Sequence, residues 1–397
     1  MAIAARRYQL LIISWLAAVL VVALPGCGGA AGGRAGAAVK QDAPPARPAI
    51  AYDHDLTDVA RVLAGLDPED AQRFAAVTSR PAWKAHKAAF DTNWSQIEQQ
   101  RFTVMRAWRD RELKPVVDGC DVLFYPFGGP DFINAHLFNP TCQTYLLFGL
   151  EPTGSVLRLD KLTPEKADRA LGEIREALSD IFKRGYLITQ TMEKELRTPQ
   201  VDGTLPMMMV FLARLDARIV SIEFGGSSPW DPTAPAPTRA GRLPSVTVAF
   251  VAKDSDRIQK VSYIRVDMMN PGFSQRATLL AYLKGLGPVT TFVKSASYLM
   301  HDDRFSMVRD IVLTQSKALL QDDTGVPFHF LDPAKWTLTF YGKYSPPISD
   351  FKYGFQKDLD AVFKQPGTAR ELPFTFGYHW QQGTSSVILA VRKPAGQ

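Results

Sequence analysis

The stretch that decides the fold is DGCDVLFYPFGGPDFINAHLFNPTCQTYLLFGLEP, residues 118–152. It contains two apolar runs rich in β-forming residues, 121–127 and 144–150, which predict two strands. The first run is followed by a Gly-Gly-Pro-Asp loop (residues 128–131) and a short helical pattern, and the second is followed by Glu151. The stretch therefore predicts a strand–helix–strand unit with polar side chains after each strand.

A later part of the chain has the same order of elements. Residues 289–293 are mostly β-branched, and Lys-Ser-Ala-Ser at 294–297 interrupts the run. After His301-Asp302-Asp303 a helix is predicted to about residue 316, followed by a short apolar run that ends at Asp322-Asp323. The two halves share little sequence identity, so whether they are a true repeat stays open.

The segment between these units predicts an antiparallel meander. The runs 218–224, 246–251 and 258–267 are strand-like and are separated by polar turns. The Pro/Gly/Ser-rich residues 225–245 are interpreted as a long excursion of a hairpin rather than as a domain linker. Residues 205–224 predict two strands around a turn at Asp216, and a helix over 207–215 remains an alternative.

Two further predictions concern the ends of the body. A long helix is predicted from about residue 81 to 112. Its apolar positions, tryptophans included, fall mostly at three- and four-residue steps, which favours a core stripe over a sugar-binding platform. Near the C-terminus, residues 374–380 and 386–391 predict a β-hairpin. Together the patterns predict an α/β fold: a single globular body, residues 51–397, with a mixed sheet flanked by helices.

Composition limits the class of protein. Hydrophobic residues make up 46% and charged residues 22% of 397, which is typical of a globular chain. The net charge is +6, and it falls to 44 − 40 = +4 if Arg6 and Arg7 are removed. The basic residues are scattered, so no nucleic-acid partner is predicted. No metal-binding spacing such as HExxH occurs, and no cofactor is predicted.

The N-terminus predicts export and lipidation. Arg6-Arg7 precede an apolar run, residues 10–24, which is shorter than the about 20 residues needed to span a bilayer. The sequence Leu-Pro-Gly-Cys ending at Cys27 resembles a bacterial lipobox, which predicts a signal peptide (1–26), an acylated Cys27 and a flexible tether (27–50). A secretory signal cut further on, or an uncleaved anchor, remains an alternative.

The predicted location follows from this signal. Gly28, rather than Asp, follows the lipidated cysteine, which predicts an outer-membrane lipoprotein facing the periplasm. The predicted partners are the membrane, through the lipid on Cys27, and an envelope protein or small-molecule ligand. In an oxidising compartment, Cys120 and Cys142 at the same edge of two neighbouring strands predict a disulfide, with two buried thiols as the alternative.

Candidate site residues follow the predicted strands, because ligands of open α/β sheets gather beyond the carboxyl ends of parallel strands. The candidates are Asp131, Glu151, His301 and Asp322, with Lys294, Ser295, Ser297, Asp302 and Asp323 beside them and Tyr125 and His136 nearby. Three interpretations compete: a divalent-metal or acid–base site, a serine nucleophile assisted by Lys294 or His301, and structural caps and turns. The structural interpretation is favoured.

The motifs FYPFGGPDF (124–132), YLLFGLEPTG (145–154), GPVTTFVKSASYLMHDDRFS (287–306) and QDDTG (321–325) resemble a family of exported bacterial proteins of unknown function. The resemblance covers residues 118 to 391 and implies export and one co-extensive domain, but no activity or ligand. The leading hypothesis is a non-catalytic envelope protein that binds a partner or ligand. The alternative is a periplasmic hydrolase or a divalent-metal-dependent enzyme that uses the acidic loops.

Overall fold

The strands of the body join in one open mixed sheet. The computed structural model describes residues 50–114, 119–186, 198, 200–225 and 245–394. The strands are β1 (Val122–Tyr125), β2 (Thr144–Gly149), β3 (Arg218–Phe224), β4 (Ser245–Val251), β5 (Ile258–Arg265), β6 (Val289–Val293), β7 (Ser316–Gln321), β8 (Trp336–Gly342), β9 (Ala369–Arg370) and β10 (Ser386–Arg392). Their order in the sheet is β3-β4-β5-β2-β1-β6-β7-β10-β8-β9.

The described helices cover both faces of this sheet. They are α1 (His54–Leu63), α2 (Ala75–Thr78), α3 (Pro81–Ile97), α4 (Thr103–Glu112), α5 (Phe132–Phe138), α6 (Pro164–Ala177), α7 (Ser179–Lys183), α8 (Leu205–Arg214), α9 (Asn270–Phe273), α10 (Ala277–Gly285), α11 (Ser306–Gln315) and α12 (Lys357–Phe363). A five-residue π-helical turn, Glu98–Phe102, joins α3 to α4. The predicted α/β fold with a mixed sheet is confirmed.

The centre of the sheet is parallel. Strand β1 pairs in parallel with β2 on one side and with β6 on the other, and β5 and β7 extend the parallel block outward. The chain crosses from β1 to β2 through α5 and from β6 to β7 through α11, in opposite directions along the sheet. The gap between the carboxyl ends of β1 and β6 is therefore the topological switch point, where ligands of open α/β sheets bind.

Two hydrophobic cores lie on opposite faces of the sheet. Leu123 and Tyr125 belong to one core, and Phe124, which points the other way along the same strand, belongs to the second. Strand β2 alternates in the same manner, with Tyr145 and Leu147 in the first core. Because both faces are buried, the central strands are continuous apolar runs rather than alternating ones.

The predicted meander and its excursion are confirmed in part. Strand β3 pairs antiparallel with β4, and β4 pairs antiparallel with β5. Strand β5 then pairs in parallel with β2, so the meander does join the two strand–helix–strand units in one sheet. Residues 226–244, the greater part of the predicted excursion, lie outside the described residues, as do the predicted signal peptide, Cys27 and tether.

Two strand predictions are wrong. Residues 205–214 form helix α8, which agrees with the alternative helix over 207–215 and not with the favoured strand, and all its positions from Leu205 to Ala213 are buried. A segment that is apolar on every side carries no period that separates helix from strand, so the pattern could not decide. Residues 374–380 form no strand with β10, because β7 and β8 already pair with the two edges of β10.

The cysteine pair and the long helix agree with the predictions. Cys120 and Cys142 form a disulfide with Cα atoms 4.4 Å apart, in front of the neighbouring strands β1 and β2. The tryptophans of the long helical segment face the core: Trp83 and Trp108 are buried and Trp94 packs against the first core. In the part of the chain that the structure describes, no helix is both long and apolar enough to cross a membrane.

Candidate functional site

A buried ion pair joins the two loops at the switch point. Lys294 follows β6, and its Nζ lies 3.0 Å from Oδ2 of Asp131, which follows β1. The two side chains are 2% and 5% exposed. Tyr125 donates its hydroxyl to the same carboxylate at 3.1 Å, and the Asn134 side-chain amide donates to Oδ1 at 2.7 Å. Asp131 is also the N-cap of α5, so one carboxylate fixes a strand end, a helix start and the opposite loop.

The loop after β6 is strained. Ser295, Ser297 and Tyr298 all have positive φ, between 51° and 55°, which costs on the order of 1 kcal/mol or more for each non-glycine residue. Phe127 in the opposite loop has φ 60°. Such a conformation persists only where the surrounding contacts hold it, so these two loops depend on the groups beneath them.

Two adjacent carboxylates after β7 supply those contacts. Asp322 accepts a hydrogen bond from the backbone N–H of Ser295 at 2.9 Å, and Tyr298 donates its hydroxyl to Asp323. Thr324 accepts from the backbone N–H of Ala296 at 2.7 Å. The acidic end of the second unit therefore fixes the strained loop and contributes to the site from beneath.

Burial makes this pair of carboxylates hard to ionise. Desolvation and, after it, the neighbouring charge of Asp323 raise the pKa of Asp322 to about 6, against hydrogen bonds from Thr324 and Ser295. Desolvation likewise raises the pKa of Asp323 to about 6, against the hydrogen bond from Tyr298. Because the two groups interact, their titration steps belong to the pair.

Glu151 lies at the other side of the switch point. Its carboxylate accepts hydrogen bonds from the backbone N–H of Leu150 at 3.1 Å and from the Tyr263 hydroxyl at 3.1 Å. A Cβ at Gly149 would overlap this carboxylate, and one at Gly129 would lie 3.7 Å from it. Glycine at 149 thus leaves the space that the buried carboxylate occupies.

An open cleft of about 790 Å³ lies above these groups. Its lining includes Glu151, Ser295 and Ser297 from the predicted loops, and Arg184 and Asp350 from elsewhere. Six aromatic residues are part of the lining: Phe127, Tyr186, Phe351, Tyr353, Tyr378 and Trp380.

These residues form an aromatic wall, in which ring contacts connect four of the six. The ring of Tyr378 lies 5.1 Å from that of Tyr186 and 5.1 Å from that of Phe351. The ring of Tyr353 lies 6.2 Å from that of Phe351. Tyr353 is 72% exposed and Trp380 is 53% exposed, so large ring faces are open to a ligand. The Tyr378 hydroxyl donates to the carbonyl oxygen of Ser295 at 2.8 Å, which attaches the wall to the strained loop.

The predicted site residues do not all come together. Asp131 and Asp322 meet the consecutive residues Lys294 and Ser295, and Glu151 faces the cleft. His301 lies instead in a separate cavity with His329, and burial lowers its pKa to about 4. His136 is packed between the rings of Phe132 and Tyr145 in the core, and burial lowers its pKa to about 4.

Sequence reasoning missed the cleft wall. Tyr353, Tyr378 and Trp380 lie far along the chain from the strand–helix–strand units, and residues 374–380 were predicted as a strand. The signal available in the sequence was Gly377 within an aromatic stretch. In the structure Gly377 has φ 67°, and a Cβ there would overlap the Asp322 carboxylate. A glycine within an aromatic stretch indicates a close backbone approach rather than a regular strand.

The chemistry of the candidate residues is constrained by their partners. Lys294 is an ion-pair partner of Asp131, so it is not placed as a free base for Ser295. The Ser295 hydroxyl is buried and has no hydrogen-bond partner among the described residues. Within the described ranges, no three His, Cys, Asp or Glu side chains converge as a metal ion would need.

Comparison of the sequence with protein-family models and with curated proteins gave no match. The resemblance of the strand–loop motifs to exported bacterial proteins stays a prediction. The site is therefore interpreted from its own geometry.

Replacing Lys294 by Met should destabilise the protein by about 3–5 kcal/mol, because the Asp131 carboxylate would stay buried without its cation. The double variant D131N/K294M should regain at least half of that loss, since no unpaired charge remains. Urea unfolding monitored by circular dichroism gives both values. The control is Lys253→Met, which breaks an exposed ion pair with Asp216 and should change little. Equal losses in the single and double variants would contradict the role of the pair.

The raised pKa of Asp323 sets a pH dependence of stability. The folded protein holds more protons than the unfolded chain between the unfolded pKa, about 3.9, and the folded pKa, about 6, so the free energy of unfolding falls as pH rises through this window. Asp323→Asn should remove part of this fall, and its stability relative to the parent should rise from pH 4 to pH 7.

Urea unfolding of both proteins at several pH values between 4 and 7 measures that difference. Asp302→Asn is the control, because hydrogen bonds from Arg304 lower the pKa of Asp302 to about 2 and leave no titration in this window. A flat difference for Asp323→Asn would show that the pair does not titrate there.

Proposed function

We propose that this chain is a membrane-tethered lipoprotein of the bacterial envelope whose body binds a small ring-containing ligand without transforming it. The observation that carries the proposal is the cleft of about 790 Å³ with its aromatic wall at the switch point of the sheet. Ligand sites are typically clefts of about 300–1,000 Å³ with apolar and aromatic walls and a few polar groups.

The polar groups beneath the cleft support binding rather than catalysis. Asp131 is bound by Lys294, Tyr125 and Asn134, and Asp322 and Asp323 hold the strained loop. A general acid or base must reach the substrate, but these carboxylates are buried and do not line the cleft. Their contacts fix the shape of the cleft instead.

The lining suits a ligand with flat ring faces and polar edges. Tyr353 and Trp380 present exposed rings, and Ser349, Asp350 and Arg184 lie among them. Stacking on rings contributes apolar contact area, and the polar groups fix orientation. Sugar rings and aromatic rings both meet this description.

The tether rests on the sequence alone. Arg6-Arg7, the apolar residues 10–24 and the Leu-Pro-Gly-Cys sequence ending at Cys27 support export and acylation. The disulfide between Cys120 and Cys142 is consistent with an oxidising compartment such as the periplasm. Gly28 after the cysteine supports the outer membrane as the destination.

Alanine substitutions on the wall should weaken ligand binding without unfolding the body. A thermal-shift screen of neutral saccharides and aromatic compounds identifies binders, and Tyr353→Ala and Trp380→Ala should each lower their affinity about tenfold. Both side chains are mostly exposed, so the melting temperature without ligand should stay close to that of the parent.

Ile258→Ala is the matched control, because Ile258 is a 39% exposed apolar side chain. It lies at the start of β5, which is parallel to β2, and so at the opposite end of the strands from the cleft. Unchanged affinity in the two wall variants would refute the cleft as the binding site. A bound compound that is turned over, with turnover lost in Ser295→Ala, would favour the hydrolase alternative, since the Ser295 hydroxyl adjoins the cleft.

Cys27→Ala should abolish membrane attachment. The cysteine thiol is the atom that would carry the acyl chains, so the variant should lose palmitate labelling and leave the membrane fraction. Mass spectrometry of the parent should show a mature chain that begins at an acylated Cys27. Recovery of an intact N-terminus at Met1 together with an unmodified Cys27 would overturn the lipoprotein proposal.

A further inference from the structure

A second, smaller cavity adjoins the aromatic cleft. It has a volume of about 310 Å³, and Arg184 and Trp380 line both spaces. Its other walls come from the π-helical turn Glu98–Phe102 and the residues just before it, from the end of α7, and from the loop before β10. A ligand in the cleft could therefore extend one group into this cavity past Trp380.

The cavity is basic. Arg101, Lys183 and Arg184 are in its lining, together with the neutral amides Gln96 and Gln100. None of its described lining residues is a carboxylate. Outside the lining, Asp180 places its Oδ1 3.8 Å from Nε of the 44% exposed Arg184.

Arg101 is the most unusual of these cations. Its Nε is buried with no hydrogen-bond partner in the described part of the chain, and its one bond to a described residue runs from Nη1 to the carbonyl oxygen of Ile181, a long 3.4 Å. No described carboxylate lies within ion-pair distance of it. Burial lowers the pKa of Arg101, and the more distant charge of Asp131, already bound to Lys294, acts against that shift. A buried guanidinium without a counter-ion is costly, and an anion bound in the cavity would offset that cost.

The backbone around Arg101 is adapted to hold it. The residue lies in a π-helical turn, an element frequently found at functional sites, which interrupts an otherwise continuous helical segment. Gly185 has φ 81°, and a Cβ there would overlap the guanidinium. Glycine at this position gives the backbone its left-handed turn and leaves room for Arg101 at the end of α7.

We propose that Arg101, Lys183 and Arg184 form an anion subsite that takes a carboxylate or phosphate group of the ligand whose rings lie on the aromatic wall. The planar guanidinium of Arg101 can donate two parallel hydrogen bonds to either group, and Lys183 and Arg184 add charge at the mouth. The inference deepens the proposed function, on which it rests, by naming the ligand class as an anionic ring compound.

The test uses the full chain in detergent and measures binding of two simple anions, inorganic phosphate and acetate, by thermal shift at constant ionic strength with chloride as reference. Saturable stabilisation by at least one of them is expected, and the stronger anion identifies the group that the subsite prefers. Arg101→Gln should weaken that binding about tenfold or more, as loss of a charge-assisted hydrogen bond does. Arg276→Gln is the control and should not weaken anion binding. It removes an exposed cation next to α10, which packs on the opposite face of the sheet from the turn that holds Arg101.

A second variant protects the test against misfolding of Arg101→Gln. The double variant K183Q/R184Q changes two exposed side chains and should fold normally while weakening the same anion several-fold. Absence of stabilisation by both anions, or equal binding in the parent and Arg101→Gln, would overturn the proposal.

The anion test and the cleft test distinguish a failure of the anion subsite from a failure of the proposed ring-binding cleft. Inorganic phosphate and acetate have no ring, so Tyr353→Ala should leave their binding unchanged. If neutral ring compounds bind and the anions do not, the cleft function stands and the subsite falls. If the anions bind through Arg101 and no ring compound binds, the subsite stands and the proposed ring ligand falls.

Discussion

The ion pair between Asp131 and Lys294 is the contact on which the site depends. It joins the loop after β1 to the loop after β6. The chain leaves these two neighbouring strands in opposite directions along the sheet, toward β2 and toward β7. Both partners are buried, so the attraction is weakly screened, and the extra donors Tyr125 and Asn134 complete the carboxylate's hydrogen bonds. A buried pair of this kind adds little net stability over an apolar alternative, but it specifies which loops meet and in which register.

The cleft is a consequence of that junction. Once the two loops are held together, Asp322 and Asp323 fix the left-handed loop after β6, and Gly377 brings the backbone before β10 against Asp322. Tyr378 then binds the Ser295 carbonyl and carries Trp380 to the rim. The acidic groups that follow the strands thus position an aromatic surface that the sequence pattern does not reveal.

The sequence predicted the parts of the fold that depend on local pattern. The strands β1, β2, β6 and β7, the N-cap at Asp131, the meander and the Cys120–Cys142 pair follow from apolar runs, capping residues and strand adjacency. Helix α8 was left as the alternative to a strand because it is apolar all round, and the aromatic wall was missed because its rings meet only in the folded chain. The candidates Asp131, Glu151 and Asp322 were correctly placed at the carboxyl ends of the parallel strands, whereas His301 lines a different cavity.

The distribution of unsatisfied groups separates a binding interpretation from a catalytic one. In the described part of the chain, the carboxylates at the switch point have their donors, whereas Arg101 lacks an acceptor for Nε and the Ser295 hydroxyl lacks any partner. A native fold normally satisfies its buried polar atoms, so an unsatisfied one that also lines a cavity is a place where an external group could supply the partner. Arg101 lies in the cavity that adjoins the cleft and Ser295 lies in the cleft lining, and the ligand that satisfies both must offer an anionic acceptor at one end and a hydrogen-bonding group near the sheet at the other.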